Sequence, residues 1–442
     1  MRKTFQTYEG DPTQLGAGAS SRSMTSEMPR KIAVALLTGG GDKPYAFGLA
    51  TELIARGVSL DLIGSDDLDF PEFHKPGVNF LNLRGDQDPK VSFLQKMSRV
   101  LAYYAGLIRY SATAKPRVFH ILWNNKFEIF DRTLLMLYYK ALGKKIVLTL
   151  HNVNKGKRDS NDWFLNRLTL KTQYRLANHI FVHTEQMRSD VIGEFSVRPD
   201  RVGVIPFGIN NAVPNTSLSQ AEARRKLGIR DGEKTILFFG NIAPYKGLQY
   251  LTAAFDRFLS GRHDLRLIIA GWPKNCENYW RPIREAIQPY LRDGRIILKA
   301  EYVPDNETEI YFKAADVLAL PYRYIYQSGV LFLGYSFGLP VLAADVGSLK
   351  QDIIEGETGF VFRPEDPSEL AKCINCYFES DLYAGLSGRR EKIKEFARQR
   401  HSWETAGEIT MSTYARLLEL PPHTELVKNS STTASVDMKA SS

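Results

Sequence analysis

A lysine and a predicted helix start meet in one short stretch of the chain. Residues 238–247 read Phe-Phe-Gly-Asn-Ile-Ala-Pro-Tyr-Lys-Gly, and an apolar run ends there at Gly240. A loop then carries Lys246, and Gly247 precedes the segment 248–259, which favours a helix. The free N–H groups of a helix start and a nearby ammonium group both attract phosphate oxygens. The pattern predicts a diphosphate site, although it lacks the Gly-x4-Gly-Lys-Ser/Thr spacing of a P-loop.

Two further predicted strands end close to polar or flexible residues. The apolar run 316–320 is followed by Tyr-Gln-Ser-Gly-Val at 326–330, in which Ser328 and Gly329 are predicted to begin a helix. The N–H groups of that helix start could hold a second anionic oxygen. Another apolar run ends in a turn at Gly271.

In the first half of the chain, glycines and a histidine follow predicted strands. Three consecutive glycines occupy 39–41, directly after the apolar run 31–37. The dinucleotide motif of dehydrogenases needs a third spaced glycine where Pro44 stands, so this class is disfavoured. His151 follows the apolar run 145–150. It is either a hydrogen-bonded histidine that orients a loop or a group that contacts a substrate.

The remaining candidate sites are interpreted as structural. His120 and His183 end neighbouring predicted strands and are expected to serve the fold. Residues 67–69 have the Asp-x-Asp form of a metal motif but are expected to form a solvated loop. Cys373 and Cys376 make one isolated CxxC pair, whereas a zinc site needs four ligands. No metal site is predicted.

Strand-like apolar runs alternate with helical segments through most of the chain. In the first half they begin near 31, 59, 118, 145, 179 and 202, and in the second half near 234, 265, 295, 316 and 340. This alternation predicts parallel sheets with helices on both faces. Because ligands of such sheets bind beyond the carboxyl ends of the strands, two sheets of this kind predict a cleft between domains.

The strand pattern restarts after a polar stretch, which predicts two domains. We expect the first domain at 30–210, joined by a last helix at 401–420, and the second domain at 211–400. The polar segments 1–29 and 421–442 have too few apolar residues to offset the entropy lost on ordering, so disordered tails are expected.

Taken in order, these motifs resemble glycosyltransferase family 4. The family is marked by Gly-Arg-x4-Lys-Gly, Ala-Asp-x4-Pro, Gly-x-Pro-Val and a Gly-x-x-Gly-x-x-Val-x-Pro ending, which corresponds here to residues 355–370. The match is specific over 234–372 and looser over 31–210. The resemblance implies an α/β protein with the GT-B fold, in which two doubly wound Rossmann-like domains face each other across a cleft. It also implies sugar transfer from a nucleotide diphosphate with retention of configuration.

The resemblance assigns roles to individual residues. Lys246 would bind the donor diphosphate and stabilise the leaving group, Asn241 takes the place of the family's arginine, and His151 would lie beside the transferred sugar. The other donor-binding positions implied are Gly39, Gly40, Gly41, Gly240, Gly271, Tyr302, Val303, Gln327, Ser328, Gly329 and Val330.

The sequence departs from the family pattern on the donor side. Neutral Asn241 can donate a hydrogen bond but supplies no charge. The family's paired glutamates fall on Ile325 and Leu333, and neither side chain can bind a ribose or sugar hydroxyl. Gln327 and Ser328 are the nearest polar substitutes.

The net charge of +9 is concentrated in one segment. Residues 90–175 contain 17 Lys and Arg against 4 Asp and Glu. Within 90–117, Leu94, Leu101 and Ile108 recur every seven residues among cations and aromatic side chains. Met97, Tyr104 and Leu107 fall on nearby helical positions, so the segment predicts an amphipathic helix. Most of its apolar stripe is expected to pack on the sheet. The bordering cations are expected to make a peripheral contact with an anionic membrane.

These observations favour a metal-independent hexosyltransferase without a cofactor. The resemblance implies a UDP-sugar or, second, a GDP-sugar as its donor, and its acceptor would be a lipid-linked or saccharide molecule in surface polysaccharide or glycolipid assembly. No signal sequence is recognised at the N-terminus, so we expect a cytoplasmic protein on the inner face of the cytoplasmic membrane. The alternative is a catalytically degenerate GT-B protein that binds membrane or nucleic acid, although no nucleic acid partner is expected.

Overall fold

The structure is a computed structural model of the 442-residue chain. It describes residues 32–88, 91–158, 162–209, 212–273 and 276–420. The predicted disordered tails, 1–29 and 421–442, lie outside the described residues.

The first half of the described chain forms a seven-stranded parallel sheet. Its strands are β1 (Ala33–Leu37), β2 (Ser59–Gly64), β3 (Val78–Asn82), β4 (Val118–Ile121), β5 (Lys145–Thr149), β6 (His179–Val182) and β7 (Val202–Val204). They pair in the order β3-β2-β1-β4-β5-β6-β7. The order in which successive strands are added to the sheet reverses between β1 and β4, so a crevice opens beyond the carboxyl ends of these two strands.

Helices cover both faces of this sheet, which explains why its central strands are almost continuously apolar. They are α1 (Lys43–Ala55), α2 (Phe93–Thr113), α3 (Glu128–Phe130), α4 (Met136–Ala141), α5 (Lys155–Arg158), α6 (Phe164–Leu176) and α7 (Glu185–Phe195). A π-helical turn at Asp131–Leu135 joins α3 to α4. Ser92 caps the start of α2 and forms a capping box with Gln95.

A second parallel sheet follows, with six strands in the described residues. They are β8 (Lys234–Phe239), β9 (Leu265–Ala270), β10 (Ile296–Lys299), β11 (Val317–Leu320), β12 (Val341–Ala344) and β13 (Gly359–Phe362). Their order is β10-β9-β8-β11-β12-β13. The second crevice therefore lies beyond the carboxyl ends of β8 and β11.

The helices of the second half lead back to the first sheet. They are α8 (Gln220–Lys226), α9 (Leu248–Phe258), α10 (Glu277–Ala286), α11 (Gln288–Arg292), α12 (Asp305–Ala314), α13 (Gly329–Ser336), α14 (Pro367–Glu379), α15 (Asp381–Ala384), α16 (Leu386–Arg400) and α17 (Trp403–Leu417). Helix α17 packs on α1, and its Tyr414 hydroxyl lies 2.6 Å from Nδ1 of His120.

The predicted fold class is confirmed, because two parallel-sheet Rossmann-like domains are present. Two strands, β3 and β13, were not among the predicted strands. Within the described ranges, no helix combines the length and the apolar character that a membrane span requires.

The prediction that most of the apolar stripe of α2 packs on the sheet holds for only part of the stripe. Leu94, Leu101 and Ile108 do not pack on the sheet but are 78%, 58% and 38% exposed. Tyr104 and Leu107 of the same stripe are buried together with Tyr103, on a face that is displaced around the helix from those three residues. Helix α2 therefore has a second apolar face that points away from the core.

Candidate functional site

Lys246 lies where the sequence predicts a diphosphate site. After β8 the chain forms a 3-10 turn, Pro244–Lys246, and Gly247 then caps α9 with φ at 68°. A Cβ atom on Gly247 would overlap the carbonyl oxygen of Pro321, so this close approach requires glycine. The Lys246 side chain is buried, and its ammonium lies 5.5 Å from the ring centroid of Tyr322. The turn thus fixes a cation beside a helix start.

Gly240 and Gly271, two other predicted donor-binding residues, allow backbone segments to pack closely beside this crevice. A Cβ atom on Gly271 would overlap the carbonyl oxygen of Gly240. A Cβ atom on Gly240 would lie 2.7 Å from Nζ of Lys246 and 3.5 Å from Val330. Because glycine occupies both positions, the two backbone segments approach closely beside the Lys246 ammonium.

The start of α13 adjoins the same ring. Ser328 caps this helix by accepting a hydrogen bond from the N–H of Leu331, and its Oγ lies 3.4 Å from the Tyr322 hydroxyl. A Cβ atom on Gly329 would lie 3.6 Å from a carboxylate oxygen of Asp42 in the first domain. The starts of α9 and α13 therefore converge on one crevice that faces the first domain.

The residues at the positions of the family's paired glutamates offer no polar side chain to that crevice. Leu333 is buried in the core of the second domain, and Ile325 packs against the same cluster. Gln327, the polar substitute, lies against Asp352, and burial raises the pKa of that carboxyl to about 6. The Oε1 atom of Gln327 is buried and has no hydrogen-bond partner among the described residues.

Tyr302 and Val303 follow β10 at the same edge of the second sheet. The Tyr302 side chain is 64% exposed, whereas Val303 is buried in the core. Only Tyr302 therefore offers a side chain to a ligand, and donor binding at this edge stays a prediction.

In the first domain, the glycine loop 39–41 follows β1. Gly39 and Gly40 have φ values of 63° and 86°, in the left-handed region that favours glycine. A Cβ atom on Gly41 would overlap the ring of Trp123. The loop is thus held close to the residues that follow β4, at the point where the strand order reverses.

Arg84 also holds this loop, although the sequence analysis did not identify it. Its guanidinium donates a hydrogen bond to the carbonyl oxygen of Gly39 and lies 5.3 Å from the ring centroid of Tyr103. Its Nε atom is buried and has no hydrogen-bond partner in the part of the chain that the structure describes. Recognition of β3 could have found it, because Arg84 comes just after that strand.

His151 lies in an aromatic cluster beside the loop. Its ring stacks on Trp123 with centroids 4.0 Å apart and meets the edge of Tyr45 at 4.6 Å. Its Nδ1 atom lies 3.2 Å from Nε2 of His183. His183, which was expected to serve only the fold, therefore also orients His151.

Two neighbours determine the tautomer of His151. Burial lowers the pKa of His183 to about 4, and burial together with His183 holds the pKa of His151 well below its usual range. Nδ1 of His183 lies 3.3 Å from the carbonyl oxygen of Ile205, which can only accept, so this nitrogen carries the proton. Nε2 of His183 then accepts from Nδ1–H of His151. Consequently Nε2 of His151 is an acceptor, and it has no partner among the described residues.

A cavity of about 1020 Å³ brings residues of both domains together. It is lined by the loop 39–41 and His151 from the first domain and by Asn241 and Tyr245 from the second. Its cationic lining residues are Arg84, Lys96, Arg99, Lys126, Arg132 and Lys155. Only two acidic residues, Asp88 and Glu128, line it from the described chain, so the cavity favours an anionic ligand.

Polar contacts between the domains flank this region. The ammonium of Lys43 lies 3.0 Å from a carboxylate oxygen of Asp305, and the Tyr326 hydroxyl donates to Asp190 over 2.6 Å.

Across the ranges that the structure describes, no three His, Cys, Asp or Glu side chains are grouped so that they could hold a metal ion.

Comparison with known proteins identifies the family. Residues 39–213 match the model described as Glycosyltransferase Family 4, and residues 233–380 match the model described as Glycosyl transferases group 1. D-inositol 3-phosphate glycosyltransferase of Corynebacterium efficiens is 29% identical over 366 residues, which cover 77% of this chain and 83% of the relative.

Solved structures show the same fold. Sucrose-phosphate synthase from Thermosynechococcus elongatus superposes with a TM-score of 0.70 at 19% identity, over 88% of this chain and 100% of that one. HepE from Anabaena, in complex with UDP-glucose, superposes with a TM-score of 0.67 at 15% identity, over 87% and 100%. The chain is a glycosyltransferase of the family 4 type with the GT-B fold.

Proposed function

We propose that the protein transfers a sugar from a nucleotide diphosphate donor, a UDP-sugar first and a GDP-sugar second, with retention of configuration. The observation that carries this proposal is the convergence of Lys246 with the starts of α9 and α13 in one crevice facing the glycine loop 39–41. Solved structures of Anabaena HepE are named as complexes with UDP and with UDP-glucose, which supports UDP as the carrier.

The diphosphate gains negative charge as its bond to the anomeric carbon breaks. Lys246 and the N–H groups at the two helix starts would stabilise this charge, and their fixed positions in a partly buried crevice increase their effect. No ion is then required for departure of the leaving group, so we propose a metal-independent reaction without a cofactor.

The acceptor hydroxyl would attack the anomeric carbon on the face from which the diphosphate departs. Its oxygen forms the new glycosidic bond, and its proton passes to an oxygen of the leaving phosphate. His151 would accept a hydrogen bond at Nε2 from a hydroxyl of the donor sugar and so fix the reacting ring. This course accounts for retention without a carboxylate nucleophile.

The basic cavity is the proposed acceptor site. The name of the Corynebacterium efficiens relative, D-inositol 3-phosphate glycosyltransferase, supports an acceptor that carries negative charge. A lipid-linked or saccharide acceptor in surface polysaccharide or glycolipid assembly fits the site. We further propose a peripheral contact of segment 90–117 with the anionic inner face of the cytoplasmic membrane. Its exposed cations in the described residues include Lys96, Arg109, Lys115 and Arg117.

A donor screen tests the proposal. The purified full chain is mixed with UDP-, GDP- and ADP-sugars, and both the melting temperature and the release of nucleoside diphosphate are measured. We expect UDP to raise the melting temperature and a UDP-sugar to be consumed, with Lys246→Ala as the background. A protein that no nucleotide stabilises, or that consumes only ADP-sugars, would contradict the proposal.

A further inference from the structure

The exposed apolar side chains of this protein are concentrated on one part of the first domain. Of fifteen large apolar residues exposed in the described chain, eleven belong to α2, to the helical stretch 127–137 or to the start of α6 and the residue before it. They are Phe93, Leu94, Leu101, Ile108, Phe127, Ile129, Leu134, Leu137, Trp163, Phe164 and Leu168. A concentration of this size exceeds the scattered apolar exposure of an ordinary monomer surface.

These three elements lie side by side. The Tyr138 hydroxyl donates to the carbonyl oxygen of Ile108 over 3.1 Å, which joins α4 to α2. The guanidinium of Arg132 donates to Asn166 over 2.9 Å, which joins the π-helical turn to α6. The three elements thus form one helical layer over the sheet, and we call its solvent side the outer layer.

The outer layer is also basic. Helices α2 and α6 together contain six Lys and Arg and no Asp or Glu. The cations Lys96, Arg109, Arg167 and Arg175 are exposed. An apolar surface bordered by cations matches an anionic bilayer, in which apolar side chains enter the acyl boundary and cations contact headgroups. Trp163 is of the type that favours this interface.

The acceptor cavity opens at this layer. Phe93 and Phe127 belong both to the exposed apolar set and to the lining of the cavity. Deeper in the lining, Arg132 is buried, and its Nε atom has no hydrogen-bond partner among the described residues. Lys155 lines the cavity as well. A path therefore leads from an apolar surface into a site with positive charge.

We propose that the outer layer docks on an anionic bilayer and that the cavity takes the anionic headgroup of a membrane lipid as the acceptor. This inference extends the proposed contact of segment 90–117 to α6 and the 127–137 stretch. Its transfer step rests on the proposed function, whereas the docking step does not.

Docking is tested with vesicles and a matched pair of variants. The full chain is sedimented with vesicles of phosphatidylglycerol and phosphatidylcholine, or of phosphatidylcholine alone, at low and high salt. We expect binding to the anionic vesicles that weakens as salt rises. Leu94→Ser with Phe164→Ser should lower binding by more than about tenfold, because each loses several membrane-buried carbons. Phe258→Ser, which alters an exposed phenylalanine on α9 of the second domain, should bind like the parent.

Several results would overturn docking. One is absence of vesicle binding, and another is equal binding by the parent and the Leu94→Ser, Phe164→Ser variant. A third is a dimer in sedimentation velocity that this variant dissociates, without vesicle binding, since a second copy of the chain would then cover the layer. Preferential binding to nucleic acid would equally exclude a membrane partner.

The acceptor step is tested by transfer of labelled sugar into organic-soluble product on the same vesicles. We expect labelled product on vesicles of extracted total lipid and none on pure phosphatidylcholine. In Lys155→Gln, the KM for lipid should rise more than about fivefold, while vesicle binding stays unchanged. Transfer to soluble acceptors alone, or an unchanged KM in Lys155→Gln, would refute the lipid acceptor and leave the proposed function intact. If UDP neither stabilises the protein nor is released, the proposed function fails, while the docking result stands separately.

Discussion

Acidification should strongly destabilise this fold, because it protonates histidines that are held as neutral rings. Four of them, His120, His179, His183 and His401, are buried, and His151 acts in the same direction because its pKa is also lowered. Burial lowers the pKa of His120 to about 3 and the pKa values of the other three to about 4, against 6.5 for an ordinary histidine. A lowered folded-state pKa means that the unfolded chain binds protons first. The stability contributed by these groups is therefore complete only well above pH 6.5, and it falls as the pH drops through that value.

The size of the loss follows from the distance to the unfolded pKa. At about pH 5.5, each histidine contributes a loss of about 1.3 kcal/mol, or roughly 5 kcal/mol for all four. Two buried carboxyls act in the opposite direction, because burial raises the pKa values of Asp131 and Asp352 to about 6. Their protonation between about pH 7.5 and 5.5 returns roughly 1.5 kcal/mol. The histidines dominate, and the net loss of about 3.5 kcal/mol is a large share of typical domain stability.

Urea unfolding followed by tryptophan fluorescence at constant ionic strength measures this loss. We expect the free energy of unfolding to fall steeply between about pH 7.5 and 5.5. His120→Gln should lower the number of protons taken up on unfolding, which the slope of the unfolding free energy against pH measures, by about one. This holds whatever the substitution does to stability at neutral pH. His74→Gln is the matched control, because His74 is exposed beside Asp69. A free energy that is constant or rises on acidification would refute the burial argument.

Three further predictions concern the site. Lys246→Ala should fold normally and lose on the order of a hundredfold in turnover, equivalent to about 3 kcal/mol of leaving-group stabilisation. Lys372→Ala, at an exposed side chain of α14, should match the parent in nucleotide-release assays. His151→Ala should lower turnover and leave UDP affinity, measured by calorimetry, nearly unchanged, because we propose that the second domain holds the diphosphate. An equal loss of affinity would contradict this division. Activity should persist in EDTA, and a complete loss restored by Mg²⁺ or Mn²⁺ would exclude the proposed leaving-group mechanism.

The sequence supported the fold class because buried parallel strands leave continuous apolar runs. Eleven of the thirteen described strands coincide with predicted runs, and β3 and β13 are the exceptions. Strand β3 is an edge strand with the pattern Val-Asn-Phe-Leu-Asn, which lacks the continuous run of a central strand. Missing β3 also concealed Arg84, whose position beside Gly39 depends on strand order that the sequence does not reveal.

The surface of α2 shows a different limit of sequence reasoning. Its pattern contains two apolar stripes, and periodicity cannot indicate which stripe faces the sheet. Tyr103 and Tyr104 fix which stripe of α2 faces the sheet. Tyr104 donates to the buried carboxylate of Asp131 over 3.0 Å, and Tyr103 donates to Asn125 over 2.5 Å. These partners come from the loop and helical stretch after β4, so the orientation of α2 depends on contacts distant in sequence.

The departures from the family pattern at Asn241, Ile325 and Leu333 have a common consequence. With a neutral side chain at 241, Lys246 is the cation that the loop after β8 supplies to a diphosphate. The cavity gains its other cations from the first domain, and Arg84 is placed among them by its hydrogen bond to the glycine loop. Charge on the leaving group would then be stabilised fully only when both domains contact the donor. The interdomain contacts of Lys43 with Asp305 and of Tyr326 with Asp190 hold the two halves of the site in that arrangement, so we expect catalysis to depend more on domain closure here than where one domain carries both cations.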